Sequence, residues 1–219
     1  MPRTRQSSSD AGAPAVAVPL TPPPVLVVGF SGKREIPDPA RVAAGIDAAL
    51  EWILRATGSA AGGRPLVALS AVAEGADTLF AEAVLARGIP WRLILPFPPA
   101  DFFAAFASPA ARERAEKLAA RAGSIEFPET APDGLPVRPL DPDPDEKRCT
   151  DAAHARCGVR LVDAADMLVI VTDGAPARGP GGSSEILQNA RARGKPCVVI
   201  HRDTGEIEFP PTTGTDHRH

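Results

Sequence analysis

Short, uninterrupted apolar runs that break off at small residues and then give way to helical patterns constrain this chain more than any other feature. Residues 25–28 (Val-Leu-Val-Val) run straight into Gly29-Phe30-Ser31-Gly32-Lys33-Arg34. Residues 66–69 lead into Ser70 and then Glu74-Gly75-Ala76-Asp77, and residues 167–171 into Thr172-Asp173-Gly174 and onward to Gly179-Pro180-Gly181-Gly182-Ser183-Ser184-Glu185. A run without polar alternation is the pattern of a strand covered on both faces. Between the runs the period changes. Asp38-Pro39 offers an N-cap followed by proline at the first helical position, Val42, Ile46, Leu50, Ile53 and Leu54 follow at helical spacing, and Gly58 closes the segment.

The same signals predict a helix over about 76–87, a strand over 91–95 and helices over 101–106 and 110–122. Further on they predict a short strand at 125–127, helices at 151–165 and 183–193, and strands at 167–171 and 197–201. Strand and helix in alternation describe an α/β fold: a Rossmann-like three-layer sandwich with a mostly parallel sheet and right-handed crossovers. In such a sheet the loops leaving the strands gather on one edge, and ligands bind where the strand order reverses. Four small-residue loops on that one edge therefore describe a ligand crevice.

At 219 residues the chain suits one domain, read here as residues 24–203. Residues 1–23, rich in Ser, Ala and Pro, are expected to form a disordered arm, and 204–219 a flexible tail. Residues 128–148 carry too many prolines and glycines for a regular element and are read as an insertion loop.

Composition narrows the partners. Net charge is −3, from 24 basic and 27 acidic residues, and aromatics make up 5% with no tyrosine. Neither a broad cationic surface nor a base-stacking platform is expected, so nucleic acid is an unlikely partner. Cys149, Cys157 and Cys197 form no CxxC pair and no zinc-type spacing, which points to reduced thiols, no metal and a cytoplasmic setting. No run reaches the ~20 apolar residues of a membrane helix, and prolines at 14 and 19 interrupt the only candidate leader. His217 and His219 lie in the tail and are read as bystanders.

The loops carry the candidate chemistry. Gly181 and Gly182 precede a helix whose first N–H groups can meet an anion, and Ser183 and Ser184 add hydroxyl donors. Glu185 is either a capping acid of that first turn or a carboxylate facing a sugar, where it could stabilise positive charge at an anomeric carbon. In the first loop Gly29, Ser31 and Gly32 leave the strand, and Arg34 is either solvated or a fork for phosphate or carboxylate. Ser70 leaves the second strand, and Glu74, Gly75 and Asp77 open the second helix, with Asp77 a cap or a ligand contact. Asp173 and Gly174 form either a turn or a further ligand loop. No cofactor beyond the ligand itself is expected.

The segments GFSGKRE (29–35), AEGADTLFAEAVLARGIPWRLILPFP (73–98), VDAADMLVIVTDG (162–174) and GPGGSSEILQNARARGKPCVVI (179–200) resemble the SLOG superfamily. That group unites the Lonely Guy phosphoribohydrolases, the misnamed lysine-decarboxylase-like proteins, the DNA-processing Smf proteins and nucleotide-sensing domains of bacterial defence systems. The resemblance spans about residues 25–201. It implies a Rossmann-like domain binding nucleotides or nucleotide-derived ligands through Gly29, Ser31, Gly32, Gly181, Gly182, Ser183 and Glu185. Gly75-Ala76-Asp77 stands where Smf proteins open a helix with Gly-Ile-Asp. The chain departs from the Lonely Guy pattern Pro-Gly-Gly-x-Gly-Thr-x-x-Glu, because Glu185 follows Gly182 by three residues. In place of the His-x-Arg-Lys arginine it offers only Arg156 or Arg160. The resemblance therefore implies ligand binding or sensing first, a nucleotide N-glycosidase as the alternative, and single-stranded DNA binding third. A tail too short for an effector domain points a sensor towards a homo-oligomer or a separate effector protein.

Overall fold

The computed structural model describes residues 24–59, 62–127, 146–176 and 180–211, with the side chains of 146–149 left aside. The expected arm at 1–23, most of the insertion loop, Gly179 and the end of the tail lie outside the described residues. The apolar runs become strands β1 (Leu26–Ser31), β2 (Leu66–Ser70), β3 (Trp91–Ile94), β4 (Ser124–Glu126), β5 (Met167–Thr172) and β6 (Cys197–His201). Together with β7 (Ile207–Glu208) they form one seven-stranded sheet in the order β4-β3-β2-β1-β5-β6-β7. All neighbours are parallel except β6 and β7. This is a Rossmann-like α/β sandwich.

Helices α1 (Pro39–Ala56), α2 (Ala76–Ala86), α3 (Pro99–Ala104), α4 (Pro109–Ala119), α5 (Glu146–Ala164) and α6 (Ser183–Ala192) connect the strands. The Asp38 carboxylate caps α1 by accepting from the Arg41 N–H at 3.0 Å, with Pro39 in the first turn. α3 and α4 likewise open on prolines, Pro99 and Pro109, somewhat ahead of the expected starts.

β1 divides the core by its alternation. Leu26, Val28 and Phe30 face one cluster, where Val42, Ile46, Leu50 and Ile53 of α1 and Phe80 of α2 are fully buried. The Phe30 and Phe80 rings stack with centroids 4.3 Å apart. Val27 faces the other cluster, with Leu161 and Val162 of α5 and Ile186 of α6. Burying each such aliphatic side chain is worth roughly 1.5–3 kcal/mol. Gly29 belongs to this packing. A Cβ there would lie 2.9 Å from the Ala165 Cβ and 3.3 Å from Leu161 Cδ1, so the missing side chain lets the end of α5 settle against β1.

The chain steps outward from β1 through β2 and β3 to β4, then returns along α5 to place β5 on the other side of β1. The strand order therefore reverses between β1 and β5, whose register sets Gly29 against Leu168 and Ser31 against Ile170. This reversal is where a doubly wound sheet opens a crevice.

Two elements differ from expectation. α5 begins at Glu146, inside the segment read as an insertion loop and ahead of residue 151. β7 lies within the segment read as a flexible tail: His201 N–H donates to the Glu206 carbonyl at 2.8 Å, closing a hairpin that adds a two-residue edge strand. A strand of two residues has no periodicity to detect. Among the described residues no helix is long and apolar enough to cross a membrane.

Candidate functional site

A cleft of about 560 Å³ opens at the reversal point. One wall is the loop leaving β1, residues 31–34; the opposite wall is the entrance to α6, residues 181–184. The second loop supplies Asp77 from the first turn of α2, and α5 supplies Asp151, His154 and Cys157.

Glycines permit the close approaches that shape this cleft. Gly75 caps α2 at φ 94°, and a Cβ there would run into the Arg34 and Lys33 carbonyls. Gly181 sits at φ 73° with the His154 backbone of α5 against it, leaving no room for a side chain. At both positions positive φ and contact with backbone coincide, so only glycine fits. A Cβ at Gly32 would collide with the Ala76 Cβ, which fixes the first loop onto the start of α2.

The α6 entrance places polar groups at the cleft. Gly182 is its N-cap and provides no side-chain acceptor, so the first-turn N–H groups have no cap from that residue. Ser183 is 3% exposed, lines the cleft, and its Oγ has no partner among the described residues. Ser184 is engaged differently: its Oγ donates to the Ala175 carbonyl at 2.8 Å and lies 3.4 Å from Thr172 Oγ1, tying β5's exit to α6. The Glu185 carboxylate accepts from the Gly181 N–H and is absent from the cleft lining. Its position is that of an acid closing the helix entrance.

Arg34 is exposed at the cleft mouth and makes no ion pair among the described residues. Lys33 is occupied: its Nζ lies 3.0 Å from Asp173 Oδ1. Asp173 also accepts from the Ala175 N–H at 3.1 Å and lies 4.0 Å from Arg202. Burial works to raise its pKa, but the Lys33 hydrogen bond and the Ala175 N–H outweigh that and hold the carboxyl below its ordinary value. Asp173 thus ties loops together and stays out of the cleft lining.

The other expected residues divide further. Ser70 is fully buried beneath the site, donating to the Ala71 carbonyl and accepting from Trp91 Nε1 at 2.9 Å. Gly29 is a packing position in β1. Glu74 faces shallower hollows beside Arg34. Gly174 borders a separate groove of about 560 Å³ between α6 and the β6–β7 hairpin. The cleft itself brings together Ser31, Gly32, Arg34, Asp77, Gly181, Gly182, Ser183 and Ser184.

Asp77 is 7% exposed, and its Oδ2 accepts from the Ala73 N–H at 3.3 Å. Desolvation raises its pKa to about 7, opposed by the Ala73 and Gly32 amides and by the Arg34 charge. His154 was not singled out by sequence reasoning. Burial, then the Arg34 charge, push its pKa below the usual imidazole value, with Asp151 pulling the other way. Its ring packs edge-on against Phe97 at 5.5 Å. Burial, followed by the charges of Asp77 and Glu126, lifts the Cys157 thiol to about 12, so it carries no thiolate for nucleophilic work. The available signal was the spacing of Asp151, His154, Gly158 and Leu161, a helical face mixing polar and small residues where a core face should be apolar. Arg160 pairs with Glu126 at 2.6 Å, while Arg156 keeps a buried Nε without a partner among the described residues. Among the described residues no His, Cys, Asp and Glu cluster is arranged to hold a metal ion.

No protein-family model matches the chain, and no curated protein matches it. Solved structures similar to it include DNA processing protein A from Helicobacter pylori, described for its single-stranded DNA binding mode. That match has 19% identity and a TM-score of 0.48, and covers 84% of this chain and 68% of that one. DNA processing protein A from Streptococcus pneumoniae matches at 15% identity and a TM-score of 0.45 over 81% of this chain, which spans 50% of that protein. A structural-genomics target matches at 16% identity and a TM-score of 0.42. Similarity of this degree concerns the course of the chain, and each neighbour's ligand remains its own.

Proposed function

We propose that this is a SLOG-type domain that binds a nucleotide or nucleotide-derived small molecule in the cleft between β1's exit loop and the start of α6. The observation that carries the reading is the buried Ser183 Oγ, without a partner among the described residues, at a helix N-terminus across the cleft from Arg34. Backbone N–H groups, a hydroxyl and a helix dipole favour an anion, and the guanidinium adds a second anchor for phosphate. A volume of about 560 Å³ is in the range of small-ligand sites. Turnover through Glu185 is disfavoured because its carboxylate is committed to Gly181. The alternative, hydrolysis of an N-glycosidic bond, needs a carboxylate at the anomeric carbon.

Thermal shift and calorimetry with a panel of nucleoside mono-, di- and triphosphates test the reading. A ligand at ~100 times its dissociation constant stabilises by roughly 2.7 kcal/mol, and Arg34→Ala should weaken binding about tenfold without loss of folding. Release of free base during incubation would replace the binding reading with the N-glycosidase. Preferential binding of a single-stranded oligonucleotide, falling steeply with salt, would replace it with DNA binding. Absence of all these responses would overturn the nucleotide assignment.

A further inference from the structure

The cleft contains a second unsatisfied group with the opposite preference to Ser183. Asp77 lines the cleft, and its Oδ1 is buried with no hydrogen-bond partner among the described residues. The structural part of this side chain is served by Oδ2 alone, which closes the β2–α2 turn through the Ala73 N–H. The Gly32 amide also favours the charged carboxylate but falls short of hydrogen-bond geometry. Apart from the Gly32 amide, no neighbouring donor among the described residues is turned to the free oxygen. The Cys157 thiol points to the Ile94 carbonyl at 3.9 Å, Lys33 is held by Asp173, and Arg34 acts on Asp77 only through its charge. An acceptor left unmet in the interior is destabilising, and such atoms are rare in folded proteins.

We infer that Asp77 recognises the uncharged end of the bound molecule, its Oδ1 accepting a hydroxyl or amino hydrogen while the phosphate lies at the start of α6. This deepens the nucleotide reading and rests on it. A phosphate beside Asp77 is excluded by like charge, so the ligand has one orientation: anion towards Ser183 and Arg34, neutral donor towards Asp77. The donor is an O–H or N–H without negative charge, which on a nucleotide is a ribose hydroxyl or an exocyclic amine of the base. Asp151 and His154 of α5 line the same cleft, and the Arg34 charge reaches both His154 and Asp77. With a carboxyl near 7 in the free protein, Asp77 is mostly ionised at pH 8 and fully able to accept.

The test is calorimetry at pH 8 with adenosine monophosphate, its 2′-deoxy analogue and inosine monophosphate, using the full chain, Asp77→Asn and Arg34→Ala. The deoxy analogue removes a hydroxyl donor; the inosine compound removes the exocyclic amine. Wild type should discriminate against one of the two by about tenfold, identifying the donor. Asp77→Asn should bind adenosine monophosphate about tenfold more weakly and lose that discrimination, with no fall in melting temperature. Arg34→Ala should weaken all three ligands while keeping the discrimination. Unchanged affinity and discrimination in Asp77→Asn would overturn this inference and leave the nucleotide reading standing. Weaker binding accompanied by a lower melting temperature would also overturn it, because the side chain would then be structural. Failure of wild type to bind any of the three would overturn this inference for a nucleoside monophosphate, while the nucleotide reading falls only if the wider panel of di- and triphosphates also gives no response.

Discussion

A buried carboxyl whose pKa stands near 7 instead of 3.8 makes Asp77 a liability for folding at neutral pH. The folded state holds its proton more tightly than the unfolded chain does. Its contribution to stability is therefore complete below about pH 4 and is lost as pH rises through 7. Each pH unit between those values is worth about 1.4 kcal/mol, giving on the order of 4 kcal/mol across the window as an upper figure. Urea denaturation should find wild type losing stability between pH 4 and 8 relative to Asp77→Asn, which should be at least as stable as wild type at pH 8. An equal pH dependence in the two proteins would contradict the assignment. Glu185 has the opposite character. Its carboxylate closes the α6 entrance on Gly181, so Glu185→Ala should cost about 1 kcal/mol through the lost cap. The sequence spacing left both capping and sugar contact open for Glu185, because both require a carboxylate in the first helical turn. Only the position of Gly181, held by α5, distinguishes them. The orphaned oxygen of Asp77 was illegible for a similar reason, since it depends on how Gly32 and Ala73 approach from two separate loops.

Strand exits and helix starts were legible because each was announced by local chemistry: an apolar run, a small residue, a capping acid or proline. What those signals lacked was the direction in which each small residue is used. Gly29 reads as part of a ligand loop from sequence, yet it lies in β1 facing α5, with Ala165 against the place of its missing Cβ. Gly29→Ala should therefore destabilise the protein by about 1–3 kcal/mol through overpacking. Nucleotide affinity of the folded variant should stay near wild type. A normal denaturation midpoint with weakened binding would return Gly29 to the ligand. The polar face of α5 escaped notice because its residues meet the cleft only after the chain has crossed back over the sheet. Asp151 and His154 are far in sequence from the loops they join. β7 escaped because its pairing, through Gly205 and Glu206, is decided by a turn and not by a pattern.

At the level of the whole molecule, the sheet is a rigid platform and its carboxyl edge is fastened by charge. Lys33 leaves β1, Asp173 leaves β5 and Arg202 leaves β6. Lys33 is 3.0 Å from Asp173, Arg202 is 4.0 Å from it, and Arg202 also donates to the Glu35 carbonyl at 3.3 Å. This linkage bridges the reversal point itself, the line along which β1 and β5 would otherwise present independent loops. The Asp173 side chain is only 10% exposed and that of Lys33 19%, so screening by salt is limited and the pair differs from the outlying surface pairs of α1 and α4. Removing the carboxylate leaves a poorly solvated ammonium beside the cleft, which should cost about 1–3 kcal/mol. The core beneath is formed by apolar side chains of the sheet and its helices, so the loss should stay local. In Asp173→Ala, amide hydrogen exchange should quicken at residues 31–35 and 173–176, while β1, β2 and β5 keep their protection relative to global stability. Nucleotide affinity should fall with it, because Arg34 and the α6 entrance would no longer be held in one arrangement. Uniform loss of protection across the sheet would instead make Asp173 a residue of the global fold, and unchanged exchange would leave the loops independently rigid.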